Sequence, residues 1–71
     1  MVKINGEDIN ASGKTLEEYL QIANFDPRTI VIELNEEIIP KTQYSNTIIK
    51  DGDIVEIISF MGGGGLIGNE E

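Results

Sequence analysis

Only one stretch of this chain carries a clear helical period, and everything around it is short and extended. Leu16, Tyr19, Leu20 and Ala23 recur at i, i+3, i+4 and i+7, which sets them on one face of an α-helix. Thr15 stands before them as an N-cap, and Glu18 completes a capping box. The threonine oxygen accepts from the Glu18 amide, and the Glu18 carboxylate accepts from the Thr15 amide. Asn24 suits a left-handed stop and Pro27 bars continuation, so the spacing predicts a helix over residues 16–23. A lone short helix cannot bury its own stripe. With one helix to cover, a single sheet with that helix on one face is the economical solution.

The flanking segments supply the strands. Val2-Lys3-Ile4 alternates as a half-buried strand does. Asn5-Gly6 is a strong hairpin signal, because a type I′ turn needs positive φ at both central residues. Residues 7–11 form the return strand with Ile9 inward, and Ser12-Gly13 breaks it. Residues 29–34 are β-branched and alternating, with Ile30, Ile32 and Leu34 on one face and Val31 and Glu33 on the other. Asn35-Glu36 turns the chain into Glu37-Ile38-Ile39, and Pro40 after it suits an edge strand. Residues 41–44 read as one helical turn and Thr47-Ile48-Ile49 as a short extended piece. A turn at Lys50-Asp51-Gly52-Asp53 leads into the last strand at Ile54. The first and last strands are expected side by side in the middle of the sheet as a parallel pair. The fold class is α+β, of β-grasp (ubiquitin-like) architecture: a mixed four- to five-stranded sheet with one main helix on one face. Leu16, Leu20, Ile32, Leu34, Val55 and Ile57 are expected in its core.

Composition excludes several kinds of chemistry. The chain of 71 residues makes one domain at most and contains neither cysteine nor histidine. Disulfides, thiolate nucleophiles and imidazole acid–base or metal chemistry are therefore absent. A net charge of −8 opposes nucleic acid; it serves solubility, and it also suits a complementary basic protein partner reached by electrostatic steering. No apolar run approaches the ~20 residues of a membrane helix, and a cytoplasmic protein is the default expectation. The acidic pairs Glu17-Glu18, Glu36-Glu37 and Glu70-Glu71 do not suggest a metal site, because adjacent carboxylates diverge on a helix and alternate faces on a strand.

Gly62, Gly63, Gly64 and Gly65 follow the last strand directly. A glycine run has no side chains to pack and loses much backbone entropy on ordering. The expected division is a folded domain over residues 1–61 and a flexible tail over 62–71, disordered after Met61 in the free protein. No Lys-Ser/Thr and no helix follow, so a phosphate-binding loop is not indicated. In the last strand Val55 and Ile57 share one face, and Ile54, Glu56, Ile58 and Phe60 share the other. The charged Glu56 marks the second face as the wet one. Ile58 and Phe60, with Met61 and Gly62 behind them, then offer an apolar docking patch beside the tail.

Taken in order, these pieces resemble the ThiS family, the ubiquitin-like sulfur carriers of thiamine biosynthesis. The resemblance rests on Ile4-Asn5-Gly6, on Thr15-Leu16 with Leu20, and on Val31-Ile32-Glu33-Leu34-Asn35. It continues through Ile39-Pro40, Asp51-Gly52-Asp53-Ile54-Val55-Glu56-Ile57 and the ending Phe60-Met61-Gly62-Gly63-Gly64. The resemblance implies a carrier and not an enzyme. The carboxylate of a terminal glycine is adenylated by a ThiF-like enzyme that uses ATP, converted to a thiocarboxylate, and presented to a ThiG-like thiazole synthase. It assigns that terminus to Gly64, preceded by Gly63, or to Gly65 if the register shifts by one. It implies no cofactor bound by the chain itself, and a monomer. Other readings are a carrier for another pathway, such as the molybdopterin-synthase small subunit, a ubiquitin-like modifier, or a binding module that carries nothing. Family members end at the glycine pair, whereas Gly65-Leu66-Ile67-Gly68-Asn69-Glu70-Glu71 continues here. Either a protease removes this extension, or it is foreign to the native chain, or the chain does not carry sulfur.

Overall fold

The computed structural model describes residues 1–60. Five strands and one α-helix form: β1 (Val2–Ile4), β2 (Glu7–Ile9), α1 (Leu16–Ile22), β3 (Ile30–Leu34), β4 (Glu37–Ile39) and β5 (Ile54–Ser59). Short 3₁₀ turns occupy Pro27–Thr29 and Lys41–Gln43. The strand order is β2-β1-β5-β3-β4. The β1 and β5 strands run parallel at the centre, and every other pair is antiparallel. This is the β-grasp arrangement.

Local chemistry sets each corner. Asn5 and Gly6 take φ of 51° and 85°, the two positive values that a type I′ turn needs between β1 and β2. The capping box forms as expected, with Thr15 N donating to Glu18 Oε1 at 2.8 Å and Glu18 N donating to Thr15 Oγ1 at 3.1 Å. The other free amides of the first turn are met by a neighbouring loop: Leu16 N donates to Thr47 O and Glu17 N to Tyr44 O. The helix closes in a Schellman motif. Asn24 is left-handed at φ 65°, its amide reaches Gln21 O, and the Phe25 amide reaches Leu20 O.

One face of the sheet and the α1 stripe enclose the core. Val2, Ile4, Ile30, Ile32, Val55 and Ile57 meet Leu16 and Leu20, and Ala11, Tyr44 and Ile49 close the sides from the connections. Leu34 was expected with them but is only half-buried. It lies at the end of β3, where it lines an open groove with Asn46, Thr47 and Ile48, so one side of its chain stays wet. The helix ends at Ile22 with Ala23 as C-cap, and β2 ends at Ile9.

Candidate partner-docking site

The alternation of β5 splits its side chains between two environments. Val55 and Ile57 enter the core, while Ile54, Glu56 and Ile58 face outward. Ile58 is paired in register with Val31 of β3, and Ile38 of β4 lies opposite Glu33. The outer face therefore carries Ile38, Ile54 and Ile58 exposed, at 67%, 53% and 44%, with half-buried Val31 beside them. Phe60 follows the strand end and is 49% exposed. Ile58 and Phe60, expected on the outer side, are thus exposed. Ile38 extends this apolar patch, and its place was hidden in the sequence because only the β3–β4 register brings it to this face.

The patch has an acidic stripe. Glu33 and Glu56 are direct cross-strand neighbours. Like charges opposed in this way destabilise a sheet.

Phe60 is held at the corner where β5 ends. Its amide donates to Thr29 O at 3.1 Å. The Lys41 ammonium lies 5.6 Å from the Phe60 ring centroid and 5.9 Å from that of Tyr44, within cation–π range of both. Tyr44 is buried, and its hydroxyl has no hydrogen-bond partner among the described residues. Burial pushes this hydroxyl above its ordinary pKa of 10, and the nearby Ile32 backbone offsets the shift in part without completing a hydrogen bond. Across the adjoining groove Arg28 grips Asp26 through Nε and a terminal nitrogen, at 3.1 and 3.0 Å. That contact, with the Arg28 amide, lowers the Asp26 pKa. The role of Lys41 had no signature in the sequence, where it was one residue of a helical turn.

Met61, Gly62, Gly63, Gly64 and Gly65 lie outside the described residues, and so do the expected tail and its expected disorder. What the structure supplies is the platform: a sheet end at Ser59, an aromatic ring at Phe60, and an apolar face beside them.

The model of the ThiS family matches residues 1–64. The chain belongs to the ThiS family. It is 36% identical over 64 residues to the sulfur carrier protein ThiS of Thermus thermophilus, covering 90% of this chain and 100% of that one. A crystal structure of the thiamine biosynthesis protein ThiS from Geobacter metallireducens superposes with a TM-score of 0.73 at 31% identity, covering 89% of this chain and 97% of that one. The chain is also 44% identical over 62 residues to a thiazole synthase of Paramagnetospirillum magneticum, covering 86% of this chain but only 19% of that protein. Among the described residues no helix is long and apolar enough to cross a membrane. The span matched to the ThiS family runs past Phe60 and stops at Gly64, leaving residues 65–71 beyond it.

Proposed function

We propose that this chain is a sulfur carrier for thiazole formation in thiamine biosynthesis, acting through a C-terminal Gly64 after the residues beyond it are removed. The observation that carries the reading is the family match over residues 1–64, ending on Gly64 at the close of a strand–aromatic–glycine sequence.

The chemistry follows from what a glycine terminus can do. A carboxylate is a poor acyl donor. Reaction with ATP on a ThiF-like enzyme releases pyrophosphate and leaves a mixed anhydride with AMP, a good leaving group. The outer sulfur of a persulfide displaces AMP, and a second thiol cleaves the acyl disulfide to leave the thiocarboxylate. ATP is bound by the activating enzyme and not by this chain. Glycine without a Cβ threads a narrow channel and adopts φ values closed to other residues. The folded domain contributes binding energy away from the reacting atoms and positions the terminus. Ile58 and Phe60, with Met61 and Gly62 following, press against the partner that grips Gly63 and Gly64. The similarity to part of a thiazole synthase supports a ThiG-like acceptor. The carrier works as a monomer in the cytoplasm, where thiols stay reduced.

The test compares three chains with a ThiF-like enzyme in ATP–pyrophosphate exchange: the 71-residue chain, a chain ending at Gly64, and the latter carrying Gly64→Val. Only the second supports exchange, and a sulfur donor then raises its mass by ~16 Da for replacement of oxygen by sulfur. Equal activation of the full chain would refute the reading. So would failure of chains ending at Gly64 and Gly65 with an enzyme competent on its own carrier. A binding module that carries nothing then takes its place.

A further inference from the structure

Lys41 ties together three parts of the corner from which the chain leaves the sheet. Its Nζ donates to Ile30 O at 2.5 Å. Ile30 opens β3 and is the register partner of Ser59, the last residue of β5. The same ammonium lies over the Phe60 ring at 5.6 Å and the Tyr44 ring at 5.9 Å. Tyr44 is itself fixed, buried in the core with its carbonyl accepting from the Glu17 amide at the start of α1. A lysine ammonium is strongly hydrated and its stem is flexible, so an unconstrained surface lysine extends into water. Here the cation is held instead between a strand carbonyl, a core ring and the last aromatic ring before the glycines.

We propose that Lys41 is a positioning residue for the carrier. By holding the Phe60 ring against the start of β3 and the core Tyr44, it fixes the direction in which the chain leaves β5, and so where the terminal glycines are offered. This inference rests on the sulfur-carrier reading. Its consequence is preorganisation. When Lys41 is lost, the partner must itself order the corner, which weakens binding. Once bound, the terminus meets the same reacting groups, so turnover is unchanged.

The experiment uses chains ending at Gly64, which keep every described residue, as wild type, Lys41→Met and Lys41→Arg. Methionine keeps the apolar stem and removes the charge and the donor. Arginine keeps both, because its guanidinium stacks on rings and donates to carbonyls. In ATP–pyrophosphate exchange, Lys41→Met raises KM for the carrier roughly 3- to 10-fold at unchanged kcat, consistent with losing one cation–π contact and one hydrogen bond. In the free protein the Phe60 ring resonances shift and the Phe60 amide loses order in ¹⁵N relaxation. Lys41→Arg restores both readouts. Unchanged KM overturns the proposal. A raised KM with unmoved Phe60 signals overturns it too, since Lys41 then touches the partner directly. Were Lys41→Met to unfold, Lys41→Gln, which removes the charge and holds its amide donor one bond short of the Nζ position, carries the same comparison. If the wild-type chain supports no exchange, the carrier reading fails, while the Phe60 signals of the free protein still decide whether Lys41 holds the ring.

Discussion

The side chain of Asn5 accepts a hydrogen bond from the Ile57 amide at 2.7 Å, across 52 residues of sequence. The parallel pairing of β1 with β5 spans only Lys3 with Ile54 and Ile4 with Val55. The Asn5 amide adds one more bond, to Val55 O. Beyond that β1 turns away, and the half-buried Ile57 amide would have no strand beside it. Asn5 Oδ1 takes the place of the missing carbonyl. The same residue holds the left-handed φ of 51° that starts the hairpin. One asparagine therefore both turns β1 and extends the central pairing.

Asn5→Ala should lose the bond to Ile57 and replace a residue that tolerates the left-handed region with one that does not. The combined cost is about 2 kcal/mol. Asn5→Asp keeps the acceptor and should cost less than half as much. Urea denaturation of both variants checks this, and equal losses would show that the Ile57 bond contributes little.

A second prediction concerns the turn between β3 and β4. Asn35 and Glu36 take φ of 51° and 73°, a type I′ turn built without glycine. Asn35 earns its place by accepting from the Ile54 amide and donating to Asp53 Oδ1, at 2.9 and 3.1 Å. Glu36 is exposed and makes no such bond among the described residues. Glu36→Gly should relieve the strain of a side chain in the left-handed region and stabilise the fold by about 1 kcal/mol, read as a higher urea midpoint.

Tyr44 yields a third prediction. Its buried hydroxyl has no partner among the described residues, so Tyr44→Phe keeps the ring and removes an unsatisfied group. Stability at neutral pH should be unchanged or raised by up to ~1 kcal/mol. The sign with pH follows from the raised pKa. Above the unfolded value near 10, the unfolded tyrosine releases its proton while the folded one retains it. The contribution is therefore fully present below pH 10 and is lost as pH rises through the folded value. Tyr44→Phe should flatten that alkaline decline, measured by thermal melts on either side of pH 10.

These residues also show where the sequence was legible. Wherever a signal is local, it could be read: the Thr15–Glu18 capping box, the Asn24 stop and the Asn5-Gly6 turn each depend on neighbours within a few residues. Alternation in β5 was enough to separate Val55 and Ile57 from Ile54 and Ile58. Bonds between distant residues left no such trace. Asn5 to Ile57, Asn35 to Ile54 and Lys41 to Ile30 depend on which strands meet, and the single letters look like ordinary turn or surface residues. Leu34 misled because alternation sets its face but not how far the helix layer reaches along the strand. At the end of the sheet the sequence was enough to predict Ile58 and Phe60 exposed, as they are, whereas Ile38 and Lys41 join them only through register and packing.

The last prediction concerns Phe60, the aromatic residue nearest the glycines among those described. Half of its surface is open, and the rest leans toward Lys41. Phe60 is not a member of the core cluster, whose last β5 residue is Ile57. Phe60→Ala should therefore leave the circular dichroism spectrum and the urea midpoint nearly unchanged. Binding to a ThiF-like enzyme should weaken by ~2 kcal/mol or more, as when a buried aromatic anchor is truncated at an interface centre. Ile38→Ala, on the edge strand, should cost less, because residues at the rim of an interface exclude water more than they bind. Calorimetric titration of both variants, with the fold confirmed, separates centre from rim. Unchanged affinity for Phe60→Ala would remove the docking role from this corner of the sheet.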